Sequence, residues 1–241
     1  MSMGPMKRTG FAQGIYQASV TRKEEVGTLR ITADGRKFRY AKAGEAMSAG
    51  MLTVSAGMDA AHTNEAILAA VAIGTKILEL TVTAGTAIAA DALRGGYLQI
   101  QDGTGEGYSY PIESNTAITT AQTAINVTLS QGIIVPLDAT SEFSLVHNPW
   151  YGILHDTGIK PVTGVPPIAV TSGYWFWVQT GGLAIILTHE TTAVGLGYEQ
   201  STTNGAVDTG DTDAQEFTGF GYQFGTAGVA GEYTPCILTI D

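Results

Sequence analysis

The chain has 241 residues, of which 44% are apolar and only 14% are charged, against a charged share of about a quarter in typical soluble domains. No stretch approaches the roughly 20 apolar residues of a membrane-spanning helix, and a single cysteine, Cys236, excludes a disulfide within the chain. The length fits one large β domain or two small ones, and the low charge favours a protein that buries surface against partners.

The charge is unevenly distributed along the chain. The net charge is −10, yet the residues through Lys42 include nine bases and three acids, and the rest has three bases and nineteen acids. A basic leading segment on an acidic body usually concerns partners. Three interpretations stay open: a solvated terminus, an arm that docks on an acidic protein surface, and a nucleic-acid contact. The last is disfavoured because dense Lys/Arg blocks with interleaved aromatics are missing.

Residues 1–44 are predicted to form an extended basic arm that contains a short hairpin. Its strands are residues 26–31 and 37–41, joined by an Asp-Gly turn at 33–35. Alternation places Phe38 and Tyr40 on one face of the second strand and Arg39 on the other. Lys7-Arg8 is not followed by the apolar core of a secretory signal, so we expect synthesis in a cytoplasm.

Residues 45–160 are predicted to form a first β domain. The only helical pattern is at 59–72, where we expect a short helix at most, or else a loop that runs into a strand. In residues 95–101 the alternation turns Leu98 and Ile100 inward. Strands separated by glycine-rich turns are predicted at 76–84, 95–101, 108–112, 125–129, 133–137 and 143–146.

Residues 161–241 are predicted to form a second β domain, or the second half of one β body, after a proline-rich linker at 161–167. The most apolar block, GYWFWVQTGGLAIIL at 173–187, is interpreted as a hairpin that turns at Gly181-Gly182. Neither run of this block alternates cleanly, so we expect a second sheet or a neighbouring subunit to cover both faces. Further strands are predicted at 195–199, 206–207, 217–224 and 233–240.

Strands at roughly ten-residue spacing, with turn signals between them, indicate the fold class. We predict an all-β (mainly β) protein with a β-sandwich or barrel-type body, as one domain or two small ones, and at most one short helix.

No residue pattern specifies catalysis, a cofactor or a metal. Gly103, Gly105 and Gly107 precede a strand-like segment, whereas a phosphate-binding loop needs a helix there. The acidic run at 208–213 lacks the spacing of a calcium loop, the four histidines lack metal-ligand spacing, and no G-x-S-x-G elbow occurs. We therefore predict a protein that is not an enzyme, with no catalytic residue, no cofactor and no metal.

Five aromatic residues are candidates for a structural or interaction role. Aromatic residues of β proteins more often form core or subunit contacts than a platform that stacks on sugars. We therefore assign to the fold or to an oligomer seam Trp150, Tyr151, Tyr174, Trp175 and Trp177.

Several segments together resemble the head decoration (cement) proteins of tailed bacteriophages. They are TADGRKFRYAKAG at 32–44, GGYLQIQDGTGEGYSYPI at 95–112, LVHNPW at 145–150, YWFWVQTGG at 174–182, and the closing GFGY and GEYTPCILTID. The resemblance covers most of the chain in order. It implies a non-enzymatic virion protein on the outer surface of a capsid, where it clamps neighbouring major capsid proteins. It also implies a homo-oligomer, with a trimer favoured, and no membrane or direct nucleic-acid partner.

On this interpretation the basic segment docks on the capsid, and the protein is made in the host cytoplasm. Phe38 and Tyr40 would be apolar anchors, and removal of residues 1–20 would abolish capsid binding and leave the body folded. Two alternatives stay open: a tail or baseplate component, and a carbohydrate-binding module for host attachment. The polar contacts to the shell are assigned to Arg30, Arg36, Lys37, Arg39 and Lys42.

Overall fold

A computed structural model describes residues 10–158, 160–210 and 219–241, and their regular structure is almost entirely β. The predicted all-β class is therefore confirmed. The strands of the described residues are, in chain order, β1 Leu29–Ile31, β2 Lys37–Ala43, β3 Thr53–Val54, β4 Glu65–Ala66, β5 Ile77–Thr81, β6 Tyr97–Asp102, β7 Ser109–Asn115, β8 Ala124–Leu129, β9 Glu142–Val146, β10 Tyr151–Ile153, β11 Val162–Gly164, β12 Trp175–Leu187, β13 Tyr198–Gln200, β14 Val207–Thr209, β15 Gly221–Gln223 and β16 Tyr233–Thr239.

The described residues fall into two compact units whose boundaries differ from the predicted ones. Unit 1 consists of described residues up to Ala56 together with Gly152–Asp241, and unit 2 is Gly57–Tyr151. Unit 2 is thus inserted into the chain of unit 1, and the fold does not divide at 44/45 or 160/161. The proline-rich segment 161–167 is not a linker, because its strand β11 pairs with β3 inside unit 1.

The main sheet of unit 1 has the order β1-β2-β12-β16-β15, and β10 also pairs with β2. Its central member, β12, is one continuous strand of 13 residues, so the predicted hairpin at Gly181-Gly182 is wrong. The register of the β12–β2 pair shifts between Gln179 and Gly181, and Gly182 has a φ of 82°. The glycine pair therefore forms a bulge rather than a turn. Strand β2 flanks β12 before the bulge, and β16 flanks it afterwards.

Unit 2 contains a six-stranded antiparallel sheet in the order β4-β9-β6-β7-β8-β5. Leu98 and Ile100 of β6 are buried, as the alternation predicted. They belong to one apolar core with residues such as Val127 and Phe143, which are fully buried. Burial of this alternating apolar set is what holds the sheet in one register.

Of two local predictions for unit 2, the one for residues 59–72 agrees with the structure and the strand at 133–137 does not. Residues 59–72 form a single 3₁₀ turn, Ala60–His62, capped by Asp59, and then lead into β4. Residues 133–137 do not form a strand; Leu137 makes only an isolated bridge with Val71. Both segments are short and apolar, and such segments have no pattern that separates helix, strand and irregular backbone. Their backbone partners decide the conformation: Ile67 N–H donates to Ser141 O at 2.9 Å.

Candidate functional site

The basic side chains that were predicted to contact a capsid form hydrogen bonds, ion pairs and ring contacts with other residues of unit 1. Arg39 donates from Nε and Nη2 to the two carboxylate oxygens of Asp241, each at 2.8 Å, and from Nη1 to Gly27 O. Lys37 Nζ donates to the main-chain oxygen of Asp241 at 2.7 Å. The pKa of the Asp241 carboxyl is lowered, chiefly because Arg39 donates to it. The Arg39–Asp241 ion pair therefore joins β2 to the last described residue of the chain.

The other basic side chains lie on aromatic rings or in the hairpin turn. The guanidinium of Arg30 lies 4.8 Å from the ring centroid of Phe11, and Lys42 Nζ lies 5.5 Å from that of Trp175. Arg36 pairs with Asp34 at 2.7 Å. Donation from Thr32 and Arg36 lowers the pKa of Asp34 to about 2. The side chains of Arg30, Arg36 and Lys42 are half-buried, and their contact with a capsid stays a prediction.

Phe38 and Tyr40 are not surface anchors, because both side chains are fully buried. They pack with Trp177, whose ring centroid lies 5.1 Å from that of Tyr40. Phe11 packs edge-on against the same tryptophan at 5.1 Å. The alternation correctly predicted that Phe38 and Tyr40 lie on one face of β2, and in the structure that face packs into the core of unit 1.

The leading segment is part of unit 1 from residue 10 onwards, and residues 1–9 lie outside the described residues. Ser19 forms a bridge with Trp175 on the edge of β12. The buried Gln13 accepts at its main-chain oxygen from Trp177 Nε1 at 3.0 Å. An extended arm over 10–44 is therefore wrong, because its aromatic residues have a partner in the β12 tryptophans.

The five aromatic residues that were assigned to the fold or to an oligomer seam are divided between the two units. Trp177 is fully buried, while Tyr174 and Trp175 are half-buried in unit 1. Trp150 and Tyr151 are half-buried in unit 2. Within unit 1, Trp177 serves the fold, and an oligomer seam through the others stays a prediction.

One sheet face of unit 1 is apolar and exposed, and the expected cover of the block at 173–187 by a neighbouring subunit stays a prediction. Leu183, Ile185 and Tyr233 expose 52%, 54% and 46% of their surface. Directly opposed residues of antiparallel strands share a face. The β12–β16 face therefore consists of three cross-strand pairs: Leu183 with Ile237, Ile185 with Pro235, and Leu187 with Tyr233.

A cavity of about 390 Å³ adjoins the β12–β16 face within unit 1. Pro166, Pro167 and Ile185 line it, together with Tyr16 and Arg36. A mainly apolar hollow beside an apolar sheet face is suited to an aliphatic or aromatic side chain of a partner protein. No sequence signal indicated an exposed face here, because all five residues at 183–187 are apolar and none alternates with a polar residue.

A second cavity, in unit 2, has a volume of about 240 Å³ and a polar wall. Asp59, His62 and His147 line that wall beside Tyr151. The pKa of Asp59 is lowered, first by donation from Ala61 N–H, and burial lowers the pKa of His147. His62 is 4% exposed, and its Nε2 has no hydrogen-bond partner among the described residues. The Asp59 carboxylate, whose pKa is lowered, and the imidazole of His147, whose pKa burial lowers, can together hold a small polar molecule.

Fold and surface together define a mainly β protein of two compact units with an exposed apolar sheet face. Among the residues that the structure describes, no helix is long and apolar enough to cross a membrane. Across the same ranges, no group of three or more His, Cys, Asp or Glu side chains is arranged to hold a metal ion. No family model, no curated protein and no solved structure matches the chain.

Proposed function

We propose that the protein is a non-enzymatic virion component, a decoration protein that binds the outer surface of a phage head and stabilises contacts between major capsid proteins. The observation that carries the proposal is the β12–β16 face, where Leu183, Ile185 and Tyr233 are exposed side by side. Removing apolar surface from water contributes about 25 cal/mol per Å² to the stability of a contact. Such a face is typical of proteins that act by contact with other chains.

In this proposal the β12–β16 face is the seam between copies of the chain, with a trimer as the expected state. Its six residues carry no charge, so three copies of the face can meet around a threefold axis without an oppositely charged partner. The acidic body, by contrast, repels copies elsewhere on the surface. The resemblance of segments along most of the chain supports a capsid as the larger partner. Attachment to it is assigned to the folded surface of residues 10–44 rather than to an extended arm.

Light scattering on the purified chain tests the seam. The wild-type mass should correspond to an oligomer, and the double variant Leu183→Lys with Ile185→Lys should have the mass of a single chain, because two buried charges would have no partner. Val194→Lys is the matched control, since Val194 is also exposed in unit 1, by 54%, but lies outside the face. A wild-type monomer would contradict the seam.

Co-sedimentation with phage heads that lack the protein tests the attachment. Deletion of residues 1–20 is not a suitable test, because Gln13 and Ser19 contact β12. A loss of binding in that variant could result from a folding defect in unit 1. A deletion of residues 1–9 keeps the contacts of Gln13 and, because attachment is assigned to residues 10–44, should leave co-sedimentation unchanged. We expect the full chain to sediment with heads, and micrographs of labelled particles to place it on the shell. Label on the tail alone would support the tail or baseplate alternative instead.

One observation favours a carbohydrate-binding role as the second candidate. Tyr151 adjoins the cavity that also presents the Asp59 carboxylate and two imidazoles, and such a mixture of aromatic and polar groups suits a sugar. A glycan array with wild type, Tyr151→Ala and Trp175→Ala decides between the two, because Tyr151 lines the cavity and Trp175 does not. Binding that Tyr151→Ala removes and Trp175→Ala leaves intact would favour the module; no bound glycan would exclude it.

A further inference from the structure

The six-stranded sheet of unit 2 has a groove at one side, between the segment that follows β4 and the strand β5. The edge strands of this sheet are β4 and β5. The groove has a volume of about 610 Å³ and is lined by residues 66–72, which continue β4, and by Ile77–Thr81 of β5. An extended segment placed in it would lie along the unpaired edge of β5.

The backbone of β5 turns half of its hydrogen-bonding groups towards this edge. Leu129 N–H donates to Lys76 O at 2.8 Å at one end of the β5–β8 ladder, and Val82 N–H donates to the β8 side at the other. Bonded pairs alternate along an antiparallel ladder, so Leu78 and Leu80 bond to β8. The N–H and C=O groups of three residues therefore point away from β8: Ile77, Glu79 and Thr81.

The side chains at this edge also alternate. Leu78 and Leu80 are buried, whereas Ile77 is 67% exposed and Glu79 is exposed beside it. Across the groove, Leu68 is exposed and the neighbouring positions are mostly alanines. Among the described residues that line the groove, Glu79 has the only charged side chain. The groove thus combines an unpaired strand edge, apolar walls and one negative charge.

The position of Glu79 decides which strand can pair there. If two copies of β5 paired about a twofold axis through these outward groups, Glu79 would lie directly opposite Glu79. Like charges in that position destabilise a strand pair, and a charged residue on an edge strand commonly prevents self-association. A strand with Lys or Arg at the opposite position would instead form an ion pair.

We propose that the groove is a strand-addition site for an extended segment of a partner protein that carries a basic residue opposite Glu79. Backbone bonds to Ile77, Glu79 and Thr81 would supply affinity, and alternate side chains would supply specificity. Residues of the segment opposite Leu78 and Leu80 point inward and are apolar, while the residue opposite Ile77 is β-branched. Five residues, about 17 Å of strand, match the length of β5. This site belongs to unit 2 and does not require the proposed virion role.

The proposal is tested with a labelled, capped peptide whose central segment is Thr-Val-Lys-Val-Val, and with the same peptide carrying Glu or Pro in place of Lys. Fluorescence anisotropy on the full chain should show the Lys peptide binding about three- to tenfold more tightly than the Glu peptide. The Pro peptide should bind least, because it lacks a central backbone donor. Glu79→Lys should reverse the preference between the Lys and Glu peptides. Glu106→Lys, in an exposed turn of the same unit, is the matched control and should preserve it.

Hydrogen exchange separates strand addition from attraction of charge alone. On addition of the Lys peptide, the amides of Ile77, Glu79 and Thr81 should exchange more slowly, while those of Leu78 and Leu80, already bonded to β8, should change little. Equal binding of all three peptides, or protection that Glu79→Lys leaves unchanged, would overturn the proposal. The amides of Ile77, Glu79 and Thr81 should not be protected in the free chain. If they are, and if this protection increases with protein concentration, a second copy occupies the groove and the proposal is overturned.

Discussion

Replacing Gln13 with Ala tests whether the leading segment belongs to the folded core of unit 1. Gln13 is only 3% exposed. Its side-chain Nε2 donates to Gln17 O at 2.6 Å and to Trp175 O at 2.9 Å. Its Oε1 accepts from the Tyr40 hydroxyl at 2.8 Å. One amide thus links the leading segment to both β2 and β12.

The expected loss follows from these three bonds. Each contributes about 1 kcal/mol net, and a buried group left without its partner adds to the cost. The Tyr40 hydroxyl would keep the bond it accepts from Lys23 N–H but lose its own acceptor. The truncated side chain also leaves a small cavity. We expect the free energy of unfolding of unit 1 to fall by about 2–4 kcal/mol.

Urea unfolding followed by tryptophan fluorescence measures this loss. In a Trp150→Phe background the remaining tryptophans, Trp175 and Trp177, both lie in unit 1. Gln17→Ala is the matched control, because Gln17 is exposed and its side chain accepts from Gly14 N–H near the surface. We expect the control to change the free energy by less than about 1 kcal/mol. If both variants unfold at the same urea concentration, the segment is not part of the core.

Two further predictions concern the bulge and the Arg39 ion pair. Gly182→Ala should cost about 1–3 kcal/mol, because φ is 82° and an added Cβ would lie 3.2 Å from Arg36 Cα; Gly10→Ala, which meets open space, should change little. Equal urea midpoints for these two variants would contradict the bulge conformation of Gly182. Asp241→Asn should cost about 1 kcal/mol at pH 7. The pKa of Asp241 is lowered by Arg39, so its contribution is present above the unfolded pKa of about 3.9 and is lost as the pH falls through the lower folded pKa. In thermal unfolding, wild type and Asp241→Asn should therefore converge towards pH 2, and a pH-independent difference would contradict the pair.

The sequence by itself determined the local β features of this protein. Alternation of apolar residues correctly identified the strand at 95–101 and the inward side chains of Leu98 and Ile100. It also identified the shared face of Phe38 and Tyr40 and the Asp-Gly hairpin before them. These features depend on period-2 spacing and on turn residues, which are properties of a few consecutive positions.

The tertiary structure alone decided which strands pair and which side chains bind each other. The Gly181-Gly182 pair is compatible with a turn or a bulge, and it became a bulge because β2 and β16 flank the same long strand. Likewise Arg39 has its carboxylate partner 202 positions away, at Asp241, so its charge gave no sign that it would bind within the molecule. Pairing of segments distant in the chain depends on the burial of whole faces, and neither spacing nor composition encodes that locally.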